Sequence, residues 1–146
     1  SYSKRKGWLK DRIKITMGGY VAEKIFYNET TTGTKNDIEQ ATKLARRMVT
    51  EWGMSEKVGF VSYGSEDEPI FIGKEIAQHK DYSEETAKLI DSEIKGWLED
   101  CLKETEDILT KNKVHLEKLA EALIEEETLD DERIRLLLDM PPLIKE

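Results

Sequence analysis

In this chain of 146 residues, few side chains stand where they could do chemistry together. The stretch Thr30-Thr31-Thr32-Gly33-Thr34-Lys35-Asn36-Asp37-Ile38-Glu39-Gln40-Ala41-Thr42 puts Gly33, Asn36 and Asp37 just ahead of an amphipathic segment. Asp37 reads in two ways. It is the N-cap or first-turn acid of a helix, whose positive end favours a carboxylate, or its carboxylate does chemistry that needs partners. No other constellation is complete. A phosphate-cradling G-x-x-x-x-G-K-[ST] is absent, and Ile72-Gly73-Lys74-Glu75 lacks both the glycine spacing and the hydroxyl residue. A zinc-hydrolase H-E-x-x-H is absent too. The two histidines, His79 and His115, lie far apart and read as solvated, one in a polar loop and one on an exposed helical position. The acid pairs Glu84-Glu85 and Asp130-Asp131 stand at helix starts, where capping and the helix dipole explain them.

The elements that must position Asp37 are mostly helical. From Trp8 to Phe26 the apolar residues Trp8, Leu9, Ile13, Met17, Val21, Ile25 and Phe26 recur at spacings of three and four, which predicts a helix with one buried stripe. Gly18-Gly19 is expected to interrupt it, and two helix-interior glycines cost roughly 1 kcal/mol each relative to Ala. Keeping them implies close backbone approach. A second helix is predicted over Asn36–Trp52, with Ile38, Ala41, Ala45, Met48, Val49 and Trp52 inward and Gly53 ending it. Lys57–Tyr63 and Pro69–Ile72 are β-branched and aromatic and predict a hairpin or two short strands around Gly64-Ser65-Glu66-Asp67-Glu68.

Ser83 followed by Glu84-Glu85 starts a third helix, with the stripe Ala87, Ile90, Ile94, Trp97, Leu98, Cys101 and Ile108 running to about Asn112. Its length, about 45 Å at ~1.5 Å per residue, exceeds what a compact domain of this size needs, so part is expected to pack against something outside the chain. Val114–Glu126 carries a further stripe of Leu116, Leu119, Ala120 and Leu123. A short last helix begins at Thr128-Leu129-Asp130-Asp131 and is stopped by Pro141-Pro142. The fold class is therefore mainly α, a helical bundle with a small β-hairpin insert, in a single domain spanning 1–146.

Composition bounds the function. Hydrophobic residues make up 38% and charged residues 37% of the chain, as in a globular helical protein with a charged outer face. A net charge of −8 disfavours a nucleic-acid partner, which requires clustered Lys and Arg. Cys101 is the one cysteine; with no partner for an internal disulfide it reads as a small core residue in a reducing compartment. No apolar run approaches the ~18 residues of a membrane span. The chain begins without Met, as expected of a processed or excised product.

Three segments taken together carry a resemblance. Met17-Gly18-Gly19-Tyr20-Val21-Ala22-Glu23-Lys24-Ile25-Phe26 is followed by Thr32-Gly33-Thr34-Lys35-Asn36-Asp37-Ile38-Glu39-Gln40-Ala41-Thr42 and then by Ala45-Arg46-Arg47-Met48-Val49-Thr50-Glu51-Trp52-Gly53-Met54-Ser55. In that order they resemble the peptidase domain of the FtsH family of ATP-dependent zinc metallopeptidases. The likeness continues through Asp81–Ala87 and Glu126–Leu129 and covers nearly the whole chain. It implies that Asp37, matching the Asp of T-G-x-x-N-D-[IL], is the third zinc ligand beside the two histidines of an H-E-x-x-H helix. It also implies that Glu23, in the G-G-x-x-A-E helix, lies next to the site and orients a ligand histidine, and that Gly18 and Gly19 let the metal helix approach. Gly33 and Asn36 belong to the same motif. Two features depart from the family: Tyr20 stands where Arg is common, and Lys6-Gly7-Trp8-Leu9-Lys10 is unlike the usual helix start.

The H-E-x-x-H helix, the ATPase module and the membrane anchor would precede residue 1. The resemblance then implies a part of an ATP-dependent zinc metalloprotease, inactive by itself. Zinc is expected only in a complete site and ATP only through the absent ATPase domain. The family implies a homo-oligomer, a hexamer, acting on protein substrates at the cytosolic face of a membrane that this segment does not itself touch. The alternative is a stand-alone degenerate homologue acting as a non-catalytic helical binding or oligomerisation module. Without its metal helix the segment exposes an apolar packing surface on Trp8–Phe26. The isolated chain is therefore expected to self-associate; a clean monomer by light scattering across micromolar concentrations contradicts this.

Overall fold

The computed structural model describes residues 3–63, 70–72, 75–77 and 81–142. Its elements are α1 (Lys6–Tyr27), a 3-10 turn (Thr32–Thr34), α2 (Lys35–Thr50), β1 (Ile70–Ile72), β2 (Glu75–Ala77), α3 (Glu84–Lys111), α4 (Lys113–Glu126) and α5 (Asp131–Leu137). The fold is mainly α, as the periodicity predicts. Two compact units divide the chain, Ser1–Thr105 and Glu106–Glu146.

In the first unit, residues that recur near 3.6 on each helix meet in one core: Leu9 and Ile13 of α1, Ala41, Ala45, Met48 and Val49 of α2, and Ile90, Ile94, Trp97 and Cys101 of α3. Each large aliphatic side chain removed from water contributes about 1.5–3 kcal/mol. Trp97 closes one side, with the ammonium groups of Lys6 and Lys10 at 4.6 and 5.0 Å from its ring centroid. Lys14 of α1 pairs with Glu104 of α3. The hydrogen bond between them raises the Lys14 pKa and lowers that of Glu104. The pair therefore contributes at neutral pH; the contribution fades as pH falls through the lowered Glu104 value or rises through the raised Lys14 value. With Glu104 exposed, that contribution is small.

α3 starts where Ser83 predicts, its Oγ accepting from Thr86 N at 3.1 Å. α1 differs from expectation: it runs unbroken through Gly18-Gly19, with Ile13 before the pair and Val21 after it both fully buried. α2 ends at Thr50, before Gly53, whose φ is +58°. Two of its expected inward residues face out instead, Ile38 at 55% and Trp52 at 41% exposure. Trp52 lies past the last helical turn, where Arg47 stacks on its ring at 4.6 Å.

The expected hairpin between Lys57–Tyr63 and Pro69–Ile72 is not formed. Residues 57–63 are turns and irregular chain. Three of their amides are taken locally, Val58 N donating to Ser55 Oγ (3.2 Å), Gly59 N to Ser55 O (2.8 Å) and Val61 N to Gly59 O (2.9 Å), while Tyr63 N donates to Thr50 O (2.7 Å) and Gly59 has φ +91°. Ser55 anchors this run. It is buried, and its hydroxyl donates to Glu93 Oε1 at 2.6 Å. The antiparallel pair present is Ile70–Ile72 with Glu75–Ala77, Phe71 opposite Ile76. Residues 64–69 lie outside the described residues.

In the second unit, Asp130 caps α5 by accepting from Arg133 N at 2.7 Å, and the Arg133 side chain donates to Glu126 at 3.0 Å. The last helix ends at Leu137, before Pro141-Pro142. The stripe expected on α4 is not buried: Ala120 and Leu123 are exposed, and Ala122 is the residue covered. Ile108 near the end of α3 is 51% exposed. Both helices keep apolar surface uncovered.

Candidate functional site

Asp37 is delivered by a tight turn. Thr31 Oγ1 accepts from Gly33 N at 3.3 Å, and Thr34 Oγ1 donates to Thr31 O at 3.0 Å. A Cβ on Gly33 would stand 3.4 Å from Thr31 Oγ1, so glycine keeps this turn free of crowding. The chain then passes directly into α2, with Asp37 in its first turn. Asn36 precedes it on the exposed surface. The turn is closed by Thr31 rather than by Asp37. Among the described residues, no hydrogen bond or ion pair engages the Asp37 carboxylate, which is half-buried. Of the two readings of Asp37, capping is therefore unused; a carboxylate in the first turn retains only its favourable interaction with the helix dipole.

Glu23 sits on α1, one turn after Tyr20. Its Oε2 is shielded from solvent and has no hydrogen-bond partner among the described residues. Such orphan atoms are rare in folded proteins, since desolvating a polar group without a partner costs free energy. Gly18 and Gly19 border open space: a Cβ at either meets no heavy atom within 4 Å. They belong to a second face of α1. Trp8, Ile15, Gly19, Ala22 and Phe26 follow at intervals that return to one side of a helix, away from Leu9, Ile13 and Val21. Trp8, Ile15 and Phe26 on it are 46%, 67% and 37% exposed. α1 is thus apolar on two faces, and this unit covers one of them.

Beside Asp37 the three helices leave a groove of about 390 Å³, lined by Met17 and Tyr20 of α1, Ile38 and Thr42 of α2, and Leu98 and Leu102 of α3. Sequence reasoning missed it. The signal available was the pair Leu98 and Leu102, four apart and flanking the buried stripe of α3, together with Ile38 directly after Asp37.

The remaining candidates stay apart. His115 is exposed on α4, and His79 lies outside the described residues. Cys101 is buried, and burial pushes its thiol above the usual cysteine range, as suits a core residue. Among the described residues, no group of three His, Cys, Asp or Glu side chains is placed to hold a metal ion, and no helix is long and apolar enough to cross a membrane.

Among the described residues, the helical domain thus presents an unengaged Asp at the start of one helix and an orphaned Glu near a glycine pair on another. The sequence model of peptidase family M41 matches residues 1–137, and the chain belongs to that family. It is similar to proteins named ATP-dependent zinc metalloprotease FtsH. The one from Acidobacterium capsulatum is 45% identical over 141 residues, covering 94% of this chain and 22% of the relative. That from Borreliella burgdorferi is 50% identical over 133 residues (91% and 21%), and that from Myxococcus xanthus 42% identical over 141 residues (97% and 22%). The chain spans about a fifth of the length of these relatives. The family resemblance read from the three segments is borne out.

Proposed function

We propose that this chain is the part of an ATP-dependent zinc metalloprotease that follows the H-E-x-x-H helix of the peptidase domain, with Asp37 as the third zinc ligand. The observation that carries the reading is the second apolar face of α1, open over Gly18 and Gly19. A glycine pair in mid-helix lowers stability unless another backbone comes close, and among the described residues nothing does. A helix bearing the two ligand histidines would fill that space.

The residues present fit their share of such a site. Among the described residues the Asp37 carboxylate has no structural partner to give up, and Glu23 Oε2 has none either, so it could accept the N–H of a ligand histidine and fix its ring. A bound zinc supplies Lewis-acid polarisation of the scissile carbonyl and activation of a water molecule. This chain's own contribution is to hold one anionic ligand on a helix start and to orient another; by itself it is inactive. The wider reading follows the family: a homo-oligomer, a hexamer, degrading protein substrates on the cytoplasmic side of a membrane, with ATP bound by a separate domain.

The size of the native protein tests the reading. An antibody raised against this chain, with mass spectrometry of the captured product, should detect a polypeptide several times heavier than these 146 residues and containing an H-E-x-x-H upstream. A native product no longer than this chain would instead favour a non-catalytic helical binding or assembly module.

A further inference from the structure

Two threonines ahead of Asp37 compete to begin α2. Thr34-Lys35-Asn36-Asp37 has the spacing of a capping box, in which the hydroxyl of the first residue accepts from the amide of the fourth and the carboxylate of the fourth accepts from the amide of the first. Such a box would occupy the Asp37 carboxylate with its own helix end. The structure does not form it. Thr34 has φ −78° and ψ −11°, a helical backbone in place of the extended one typical of a capping residue, and its side chain makes no cap. Its hydroxyl donates instead to Thr31 O at 3.0 Å, and its amide reaches the same carbonyl at 3.4 Å. Thr34 is buried, which shields these bonds from competing water.

The extended residue lies one turn earlier. Thr31 has φ −110° and ψ 167°, and its Oγ1 accepts from Gly33 N at 3.3 Å. The cap has thus moved from Thr34 to Thr31, and the 3-10 turn Thr32–Thr34 feeds straight into α2. Among the described residues the Asp37 carboxylate is left without a hydrogen bond or ion pair. The two caps exclude each other, because Thr34 is helical in one and extended in the other.

We propose that Thr31 is a positioning residue for Asp37: by capping one turn upstream it keeps Thr34 out of a capping box and holds the Asp37 carboxylate available to a metal. The inference rests on the reading of Asp37 as a zinc ligand. Loss of the Thr31 hydroxyl releases the 3-10 turn, returns Thr34 to an extended backbone and lets its amide take the carboxylate.

The test uses the intact protein and follows zinc affinity by competition with a chromophoric chelator. Thr31→Val removes the hydroxyl and keeps the shape. Thr31→Gly also removes it, with a residue type that begins helices nearly as well as threonine, so the outcome does not hang on one variant folding. Each should weaken zinc binding by ~10–100-fold, the range for losing a residue that orients a ligand, while the zinc-free protein still unfolds cooperatively. Thr31→Ser keeps the acceptor and should restore wild-type affinity. A crystal structure of the zinc-free Thr31→Gly protein should place an Asp37 carboxylate oxygen within ~3.2 Å of Thr34 N. Wild-type zinc affinity in either hydroxyl-less variant overturns the proposal, as does a Thr31→Ser protein as weak as Thr31→Val, or an Asp37 carboxylate still unengaged in the variant crystal. Failure of both variants to fold also overturns it, since the hydroxyl then serves the fold rather than Asp37. Failure of the metal reading is a different result, an Asp37→Ala protein with wild-type zinc affinity.

Discussion

Asp37→Ala in the intact protein is expected to lose zinc and peptide hydrolysis while keeping its fold. Removing a residue that merely supports a ligand typically costs 10–100-fold in metal affinity or activity. Loss of one of three direct ligands should therefore lower both by at least ~100-fold. The cost to the fold is small, because the carboxylate makes no hydrogen bond or ion pair among the described residues and the turn before it is closed by Thr31. What is lost is the dipole interaction of a first-turn acid, about 0.3–1 kcal/mol. Metal analysis, hydrolysis of an unstructured protein substrate and thermal unfolding on the same preparation separate these effects. Asp37→Asn sharpens the result: it preserves shape and removes the anionic ligand, so it should follow Asp37→Ala in zinc content. Wild-type zinc in either variant assigns Asp37 to the helix dipole alone.

Gly19→Ala and Gly19→Leu are expected to act in opposite directions in the segment and in the intact protein. In the segment a Cβ at Gly19 meets nothing within 4 Å, so Gly19→Ala should stabilise α1 by about 0.5–1 kcal/mol, the cost of a mid-helix glycine. In the intact protein the same face is taken to be covered by the metal helix. Gly19→Leu there should overpack the contact, at a typical cost of 1–3 kcal/mol, and displace the two histidines from Asp37. A misplacement of about 1 Å in a catalytic arrangement costs on the order of 100-fold in rate. Denaturant unfolding of the segment and zinc-dependent hydrolysis by the intact protein measure the two signs. Stabilisation and full activity in both settings would mean that nothing approaches α1 at its glycine pair.

The three core helices were legible in the sequence because each carries a strong period near 3.6, and their buried residues follow from it: Ile13, Ala45, Met48, Ile90, Trp97 and Cys101 all lie in the core. Where the reading failed, a local effect outweighed the pattern. The β-branched run at 57–63 is an extended sequence by propensity, yet the Ser55 hydroxyl and the left-handed Gly59 draw its amides into turns. Ile38 and Trp52 fit the inward stripe of α2 by spacing but lie at its ends, where the neighbouring helices no longer cover them. The apolar residues of α4 have the right period, yet Ala120 and Leu123 stay exposed while Ala122 is buried; a period shows that a face is apolar, not what covers it.

The site divides the same way. Asp37 stood out through its motif, and the structure adds what no motif carries: among the described residues its carboxylate is unengaged and Glu23 holds an orphaned oxygen, and an apolar groove adjoins Asp37. That groove is built from three helices distant in sequence, so no single stretch of residues announced it.

The most direct measurement is anomalous X-ray diffraction at the zinc edge from crystals of the intact protein. The account predicts one zinc per chain with an Asp37 carboxylate oxygen about 2.0–2.2 Å away, two histidine nitrogens completing the protein ligands, and Glu23 hydrogen-bonded to one of those rings. A zinc held by other residues, with Asp37 turned to solvent, would contradict it.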